Sequence, residues 1–405
     1  MKKAMQLALG ILTAVGGFFD VGNIATCTQA GASFRFQLIW SMVLATIVVI
    51  FLVEMSGRFA AVTKKALPDT IREHFGFTFW LVPFAVLTLV HVLVLAAEIG
   101  GVCFALHLLT GLPLPLFALP VAILIWVILW RSTFSTIENS TSLLGLVTLC
   151  FVVAAIQHHP PLHEVLAGAL PSLPSQDHAS YWFIAVSIIG AVIAPFLFYF
   201  YSSGAVEDDW DETYIPVNRA VSVMGMGFGS VISIAAIIVA GVVLYSRGIK
   251  VSDYHQAALM LTDVFPFWGY ALFAASMAIA CLGAALEVAL SMSYAFAQTF
   301  GWNWGEDLTP TEDARFCLVY TIVILVGSLF MLVGIDPLKL TLWTMAINAA
   351  VLPVVAIPML LLMNDKQLLR EHRNGIISNA ATIGIVLLTL VLFVVSIPLA
   401  VIGGS

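Results

Sequence analysis

The sequence predicts an all-α polytopic membrane protein with about eleven transmembrane helices. Of its 405 residues, 61% are hydrophobic and only 10% are charged, which is more apolar surface than a water-soluble domain can bury. The apolar residues form long runs, each close to or above the roughly 20 residues needed to cross a bilayer. Two of these runs are interrupted in the middle, one by an acidic residue and one by proline.

The predicted spans follow one another closely, so we treat residues 1–405 as a single transmembrane domain. The eleven spans cover residues 4–30, 36–57, 79–109, 112–130, 139–157, 181–203, 217–246, 265–299, 314–334, 338–363 and 377–402. The first ten form two successive groups of five, at about 4–157 and 181–363. The last span is an additional helix.

Span one carries the stretch Gly16-Gly17-Phe18-Phe19-Asp20-Val21-Gly22-Asn23 in its middle. An acid at this depth is costly in lipid and marks a functional site. Gly22 and Asn23 are residue types that tolerate departures from helical geometry. We therefore predict an unwound segment that turns the Asp20 carboxylate, the Asn23 amide oxygen and backbone carbonyls toward one cavity. Such oxygens are ligands for hard cations.

Span six carries Pro195 in its middle, within the stretch Gly190-Ala191-Val192-Ile193-Ala194-Pro195-Phe196. A proline deprives the carbonyl one turn earlier, that of Ala191, of its helical partner. Spans one and six are thus both predicted to be broken, and each opens a group of five. This pattern is typical of an inverted-repeat transporter with its substrate site between two broken helices. The alternative is that Pro195 only kinks a continuous helix.

Polar residues in three other spans are further candidates for the pathway. The cost of a carboxylate in lipid indicates that Glu98 in span three and Glu287 in span eight face the protein interior. Glu98 is either a hydrogen-bonded packing residue or part of an ion or proton route. The helical phase of Glu287 is ambiguous in so apolar a span. Asn348 in span ten either supplies an oxygen ligand or bridges two helices.

The basic residues predict the orientation in the membrane. With the N-terminus inside, twelve of the sixteen Lys and Arg residues fall on inner segments. We therefore expect a multi-pass protein of the cell (inner) membrane, with a cytoplasmic N-terminus and an external C-terminus. A net charge of −7 without a basic patch argues against nucleic-acid partners. No catalytic or nucleotide-binding motif in a usable context indicates an enzyme.

Four stretches of the chain carry a resemblance to a known family. Asp20-Val21-Gly22-Asn23 and the run from Gly190 to Phe196 are similar to Asp-Pro-Gly-Asn and Gly-Ala-Thr-x-Met-Pro-His in the NRAMP (natural resistance-associated macrophage protein) divalent-metal transporters. Residues 38–75 resemble the family's second span, and residues 357–374 resemble its tenth span and following loop. The resemblance covers nearly the whole chain. It implies a LeuT-type fold with a 5+5 inverted repeat and broken helices one and six.

The resemblance also implies an ion site between the two breaks. Carried over by position, the implied ligands are the side chains of Asp20 and Asn23 and the backbone carbonyls of Gly17 and Ala191. Gly22 and Pro195 shape the breaks in spans one and six.

The span-six methionine ligand of the family is replaced by Ala194. A thioether favours soft ions, so its loss is expected to remove that preference and to leave space for bound water. Magnesium keeps several waters and suits a wider, all-oxygen site. The chain is therefore most similar to the NRAMP-related magnesium transporters, a branch that lacks this methionine.

The proton-handling residues of the family are also altered. Its span-six histidine is Phe196 here, its span-three aspartate aligns with Leu95, and its span-ten glutamine aligns with Met345. The neighbouring span-three glutamate is retained as Glu98. Loss of titratable groups argues against tight proton coupling.

We therefore expect a transporter that moves divalent cations inward by alternating access. Mg²⁺ is the first candidate and Mn²⁺ the second. The expected protein is a monomer in the lipid bilayer without a cofactor, because the ion is cargo. The alternative is an amino-acid or organic-cation permease of the same superfold, which divalent ions would not stabilise against heat.

Overall fold

The computed structural model describes residues 19–131, 145–174, 177–305, 308 and 311–403. These residues form sixteen α-helices, and no strand occurs among them. The helices are α1 Val21–Phe34, α2 Ile39–Thr63, α3 Leu67–Phe75, α4 Phe77–Thr110, α5 Pro115–Arg131, α6 Leu149–Gln157, α7 Leu162–Gly168, α8 His178–Val192, α9 Pro195–Glu207, α10 Ile215–Val243, α11 Tyr254–Ala258, α12 Gly269–Phe300, α13 Ala314–Leu332, α14 Pro337–Leu362, α15 Lys366–Leu369 and α16 Ile376–Gly403.

Each of the eleven predicted spans contains a helix among its described residues. The described chain contains seven segments long and apolar enough to cross a bilayer: Ile39–Thr63, Phe77–Thr110, His178–Glu207, Glu212–Arg247, Gly269–Phe300, Ala314–Leu332 and Pro337–Leu362. Three shorter apolar segments, Pro115–Arg131, Leu146–Gln157 and Ile376–Leu392, lie at predicted spans four, five and eleven. Helix α1 is the described half of span one. The predicted all-α membrane fold is confirmed, and the repeat boundaries at 4–157 and 181–363 remain a prediction.

Span six is broken rather than kinked. Helix α8 ends at Val192 and α9 begins at Pro195, so Ile193 and Ala194 lie between two separate helices. Pro195 occupies the first position of α9, where the missing N–H has no helical partner to lose. Ala194 is extended, with φ −74° and ψ 126°. The predicted interruption is therefore confirmed.

The described half of span one begins with Asp20 as the N-cap of α1, in an extended conformation with φ −105° and ψ −173°. Gly22 and Asn23 belong to the first helical turn, so the expectation that they form part of the unwound segment is wrong. The reason is capping, because a carboxylate that accepts N–H groups of the first turn starts the helix directly after it. Gly17 and the rest of residues 4–18 lie outside the described residues.

The packing brings the broken spans together at the centre of the molecule. Helix α1 packs against α8, α10 and α14, and α8 also packs against α14. Gly31 allows the close approach of α1 to α10, because a Cβ at this position would lie 2.4 Å from the Ile237 carbonyl oxygen. Spans one, six, seven and ten therefore surround both breaks.

Candidate metal-binding site

The carboxylate of Asp20 lies at the positive end of a buried half-helix. Its Oδ1 accepts the backbone N–H of Asn23 at 2.8 Å and the side-chain Nδ2 of Asn23 at 3.2 Å. Asp20 is 5% exposed and Asn23 is fully buried. The helix dipole and these two hydrogen bonds partly offset the cost of burying an acid at this depth. The carboxyl group is thereby fixed at the start of α1.

The amide oxygen of Asn23 is oriented by span seven. Ser233 on α10 donates its hydroxyl to Asn23 Oδ1 at 3.5 Å, and it also donates to the Gly229 carbonyl at 3.2 Å. Ser233 is fully buried. Sequence reasoning missed this residue, because one serine in an apolar span carries no motif. Its contact shows that span seven completes the surroundings of the span-one break.

The break of span six contributes backbone acceptors. The Ala191 carbonyl has no helical N–H partner four residues on, because that residue is Pro195. The carbonyl of Gly190 accepts Nδ2 of Asn348 on α14 at 3.3 Å instead of a helical N–H. Asn348 therefore bridges spans six and ten, one of its two predicted roles. Its Oδ1 has no hydrogen-bond partner within the part of the chain that the structure describes.

Met345 lies between the two breaks. A Cβ on Gly22 would be 2.6 Å from Met345 Sδ and 3.2 Å from Asp20 Oδ1. A Cβ on Gly190 would be 1.8 Å from the Met345 carbonyl oxygen. The absence of side chains at both glycines thus lets one residue of α14 touch span one and span six. Gly22 shapes the site through its small size, and its backbone remains helical.

Glu98 also reaches the break of span one. Its Oε2 accepts the Val21 backbone N–H at 3.4 Å, and the residue is fully buried. The thiol of Cys281 lies beside the same carboxylate, and the other oxygen, Oε1, has no hydrogen-bond partner among the described residues. Nothing in the sequence distinguishes Cys281, because a lone cysteine in an apolar span is ordinary core. Glu98 is therefore both anchored by packing and positioned at the candidate site.

Glu287 is half-buried on α12 and interacts electrostatically with Glu98, which in turn interacts with Asp20. Three carboxyl groups therefore lie within electrostatic range of one another. Glu287 is partly covered by the protein, so it does not lie fully exposed on the outer face of α12. In the described part of the chain, no three His, Cys, Asp or Glu residues form a metal-binding cluster, so an ion here would need amide, carbonyl or thioether ligands as well.

Phe196 packs against His91, a histidine whose two ring nitrogens both have hydrogen-bond partners. The ring centroids of Phe196 and His91 are 5.6 Å apart. His91 Nδ1 lies 2.7 Å from the Leu87 carbonyl oxygen, and Nε2 lies 3.0 Å from the hydroxyl of Ser291. Both ring nitrogens therefore have partners, as expected for a core histidine. Contacts in the structure therefore join Gly22, Met345 and Glu98 to the start of α1, and Asn348 to the end of α8. Gly17 lies outside the described residues, and the ion-site residues remain a prediction.

The family comparison agrees with the geometry. The profile of the natural resistance-associated macrophage protein-like family matches residues 10–398. A curated relative, the divalent metal cation transporter MntH of Brucella suis biovar 1 (strain 1330), is 27% identical over 300 residues. The match covers 71% of this chain and 64% of the relative, so the chain spans slightly less than two thirds of that relative's length.

Solved structures share the fold. The manganese transporter of Eremococcus coleocola, in complex with an aromatic bis-isothiourea substituted compound, gives a TM-score of 0.76 at 20% identity and covers 96% of this chain and 86% of that one. MhsT in complex with L-phenylalanine gives 0.64 at 14% identity, over 97% of this chain and 98% of the other. These likenesses confirm the LeuT-type fold. Because the family profile spans nearly the entire sequence, the protein belongs to the natural resistance-associated macrophage protein-like family.

Proposed function

We propose that the protein transports divalent metal cations inward across a membrane by alternating access. The observation that carries the proposal is the buried Asp20 carboxylate at the start of α1, a helix that packs against α8 of the broken span six. The proposed ligands are the side chains of Asp20 and Asn23 and the carbonyls of Gly17 and Ala191. The names of the Brucella and Eremococcus relatives support a divalent metal as the substrate. Family membership also supports the expectation that the chain is not an enzyme.

The position of Asp20 argues against the alternative of an amino-acid permease. A transporter of this fold can bind a substrate carboxylate on the free amides at the N-terminus of a broken helix. Here the Asp20 carboxylate accepts the backbone N–H of Asn23 at 2.8 Å, and the charge of this carboxylate repels a second anion. MhsT, whose structure holds L-phenylalanine, shares the fold alone. The amide end of α1 is therefore suited to a cation.

Magnesium is the substrate we propose first, with manganese second. Ala194 lies in the extended break and is 6% exposed, and its methyl group offers no ligand to an ion. Mg²⁺ dehydrates reluctantly and is bound by a few oxygens with several waters retained. Phe196, Leu95 and Met345 stand where titratable or polar residues would support proton transfer. We therefore propose transport without tight proton coupling.

Uptake into proteoliposomes tests the ion and the coupling together. With Mg²⁺ or Mn²⁺ indicators and a pH dye enclosed, we expect Mg²⁺ entry without acidification of the lumen. The rate should be the same with and without an inward proton gradient, because no proton moves with the ion. Entry of Mn²⁺ alone with accompanying acidification would contradict both parts of the proposal. No flux of either ion would favour an organic substrate.

The family and the apolar helices support a multi-pass membrane location. We further propose a monomer with a cytoplasmic N-terminus and an external C-terminus, based on the basic inner segments. Labelling single cysteines introduced at Asp209 and at Lys250 from outside the cell would test this orientation. Only the second position should react.

A further inference from the structure

We propose that the Met345 thioether is a conditional ligand of the Asp20 site, binding soft divalent ions but not Mg²⁺, and that it sets the ion selectivity. This inference rests on the proposed function and adds a soft ligand to a site otherwise built from oxygen atoms. The position of the sulfur carries it. Met345 Sδ and Asp20 Oδ1 lie 2.6 and 3.2 Å from the same point, the Cβ position on Gly22, so they are at most about 5.8 Å apart.

Separations within this limit include those that a single ion can bridge. A metal such as zinc lies roughly 2.1 Å from carboxylate oxygen and roughly 2.3 Å from sulfur, so one ion can join atoms somewhat more than 4 Å apart. Thioether sulfur is a soft ligand, whereas magnesium requires oxygen. An ion such as Cd²⁺ could therefore contact both Asp20 and Met345. A hydrated Mg²⁺ would contact Asp20 and leave the sulfur unused.

The thioether is held in place by its surroundings. Met345 is 1% exposed, and Asn348 Nδ2 lies 3.9 Å from its sulfur. The Met345 backbone is fixed against Gly190 by the close approach of α8 to α14. A core methionine that merely fills space needs neither a polar contact to its sulfur nor a carboxylate nearby. Here both are present.

Unpartnered polar atoms on the same helix are an independent sign of a ligand. Within the described residues, Asn348 Oδ1 and Thr344 Oγ1 have no hydrogen-bond partner, although Asn348 is fully buried and Thr344 is 1% exposed. Buried polar atoms rarely remain unsatisfied in a native protein. The amide of Asn348 also contacts the Met345 sulfur, so its oxygen lies close to the thioether. An ion or its bound water near Met345 would satisfy that oxygen.

The test replaces Met345 with leucine, which has a similar volume but no sulfur. In proteoliposomes, we expect Met345→Leu to raise the Cd²⁺ concentration for half-maximal uptake by on the order of tenfold, as the loss of a metal contact does. Half-maximal Mg²⁺ uptake should change much less than half-maximal Cd²⁺ uptake, because a hydrated Mg²⁺ does not bind the sulfur. Met331→Leu is the matched control, because Met331 Sδ also lies beside a glycine, 3.0 Å from the Cβ position on Gly100. It should change neither ion.

Equal changes in Cd²⁺ and Mg²⁺ uptake would overturn the inference, because they would make Met345 a packing residue. X-ray absorption at the cadmium edge gives a readout that does not depend on transport. We expect a Cd–S contact in the wild-type protein that is missing in Met345→Leu; its persistence would assign the sulfur to a cysteine.

Met345→Gln, with an amide oxygen, serves as a second variant if the leucine variant is unstable. If the protein transported no ion but the Cd–S signal were present, the proposed transport function would be rejected. The assignment of Met345 as a metal ligand would stand.

Discussion

Replacing Asp20 with asparagine is expected to abolish divalent cation uptake while leaving the fold intact. Asparagine is as good a helix N-cap as aspartate, so the start of α1 should be preserved. The variant lacks the negative charge nearest to the span-one break. Because ligand charge tunes cation affinity over several orders of magnitude, we expect uptake at low ion concentration to fall by more than about tenfold.

The measurement is initial uptake of Mg²⁺ and Mn²⁺ into proteoliposomes that contain equal amounts of folded protein. Asp336→Asn is the matched control, since Asp336 caps α14 through the Lys339 N–H at 2.9 Å but is exposed. The control makes the same chemical change at another helix N-cap and should transport normally. Wild-type uptake by Asp20→Asn would show that the ion does not bind at the start of α1.

Local signals in the sequence were sufficient to predict the fold and the part of the candidate site that lies on spans one and six. Apolar run lengths located the spans, and Pro195 located the break of span six, because a proline cannot complete a helical hydrogen bond. Asp20 marked span one, because an acid is costly in lipid. Each of these signals depends on one residue and its immediate neighbours. The sequence therefore predicted the break of span six, and it singled out Asp20, which the structure shows at the start of α1.

Contacts between spans could not be predicted in the same way. Ser233, Cys281 and the thioether of Met345 reach the site from three different helices, and nothing in their own spans distinguishes them from ordinary packing residues. Gly22 illustrates the same limit. Its position beside Asp20 suggested a flexible break, whereas the structure shows a helical glycine that makes room for a residue 323 positions later in the chain. Such a role depends on how helices pack.

In the proposed ion site, Ala194 and Met345 would have opposite consequences for selectivity. Ala194 offers no ligand from span six, which favours a hydrated hard ion. Met345 brings a soft atom to the same centre from span ten, which favours a dehydrated soft ion. Ala194 favours an ion that keeps its water, and Met345 favours an ion that has lost it. One site can therefore accept hard and soft ions, each with its own set of ligands. Selectivity then depends on how much water the ion keeps.

Replacing Gly190 with alanine is expected to prevent α8 and α14 from packing. The new Cβ would lie 1.8 Å from the Met345 carbonyl oxygen and 2.9 Å from the Ala349 nitrogen, both of which are backbone atoms. Real atoms do not approach this closely, and backbone cannot move without shifting all of α14. We expect a loss of about 3 kcal/mol or more in the free energy of unfolding, at or above the upper range for overpacking.

Thermal unfolding in detergent, followed by intrinsic fluorescence, measures this effect. Gly204→Ala is the control within the same broken span, because among the described residues no atom outside its own helix lies within 4 Å of its Cβ position. Alanine is a better helix former than glycine, so this variant should be as stable as the wild type or more stable by about 0.5–1 kcal/mol. Normal stability of Gly190→Ala would mean that spans six and ten do not meet at this residue. The thioether of Met345 could then not be held beside Asp20, because the same contact fixes its backbone.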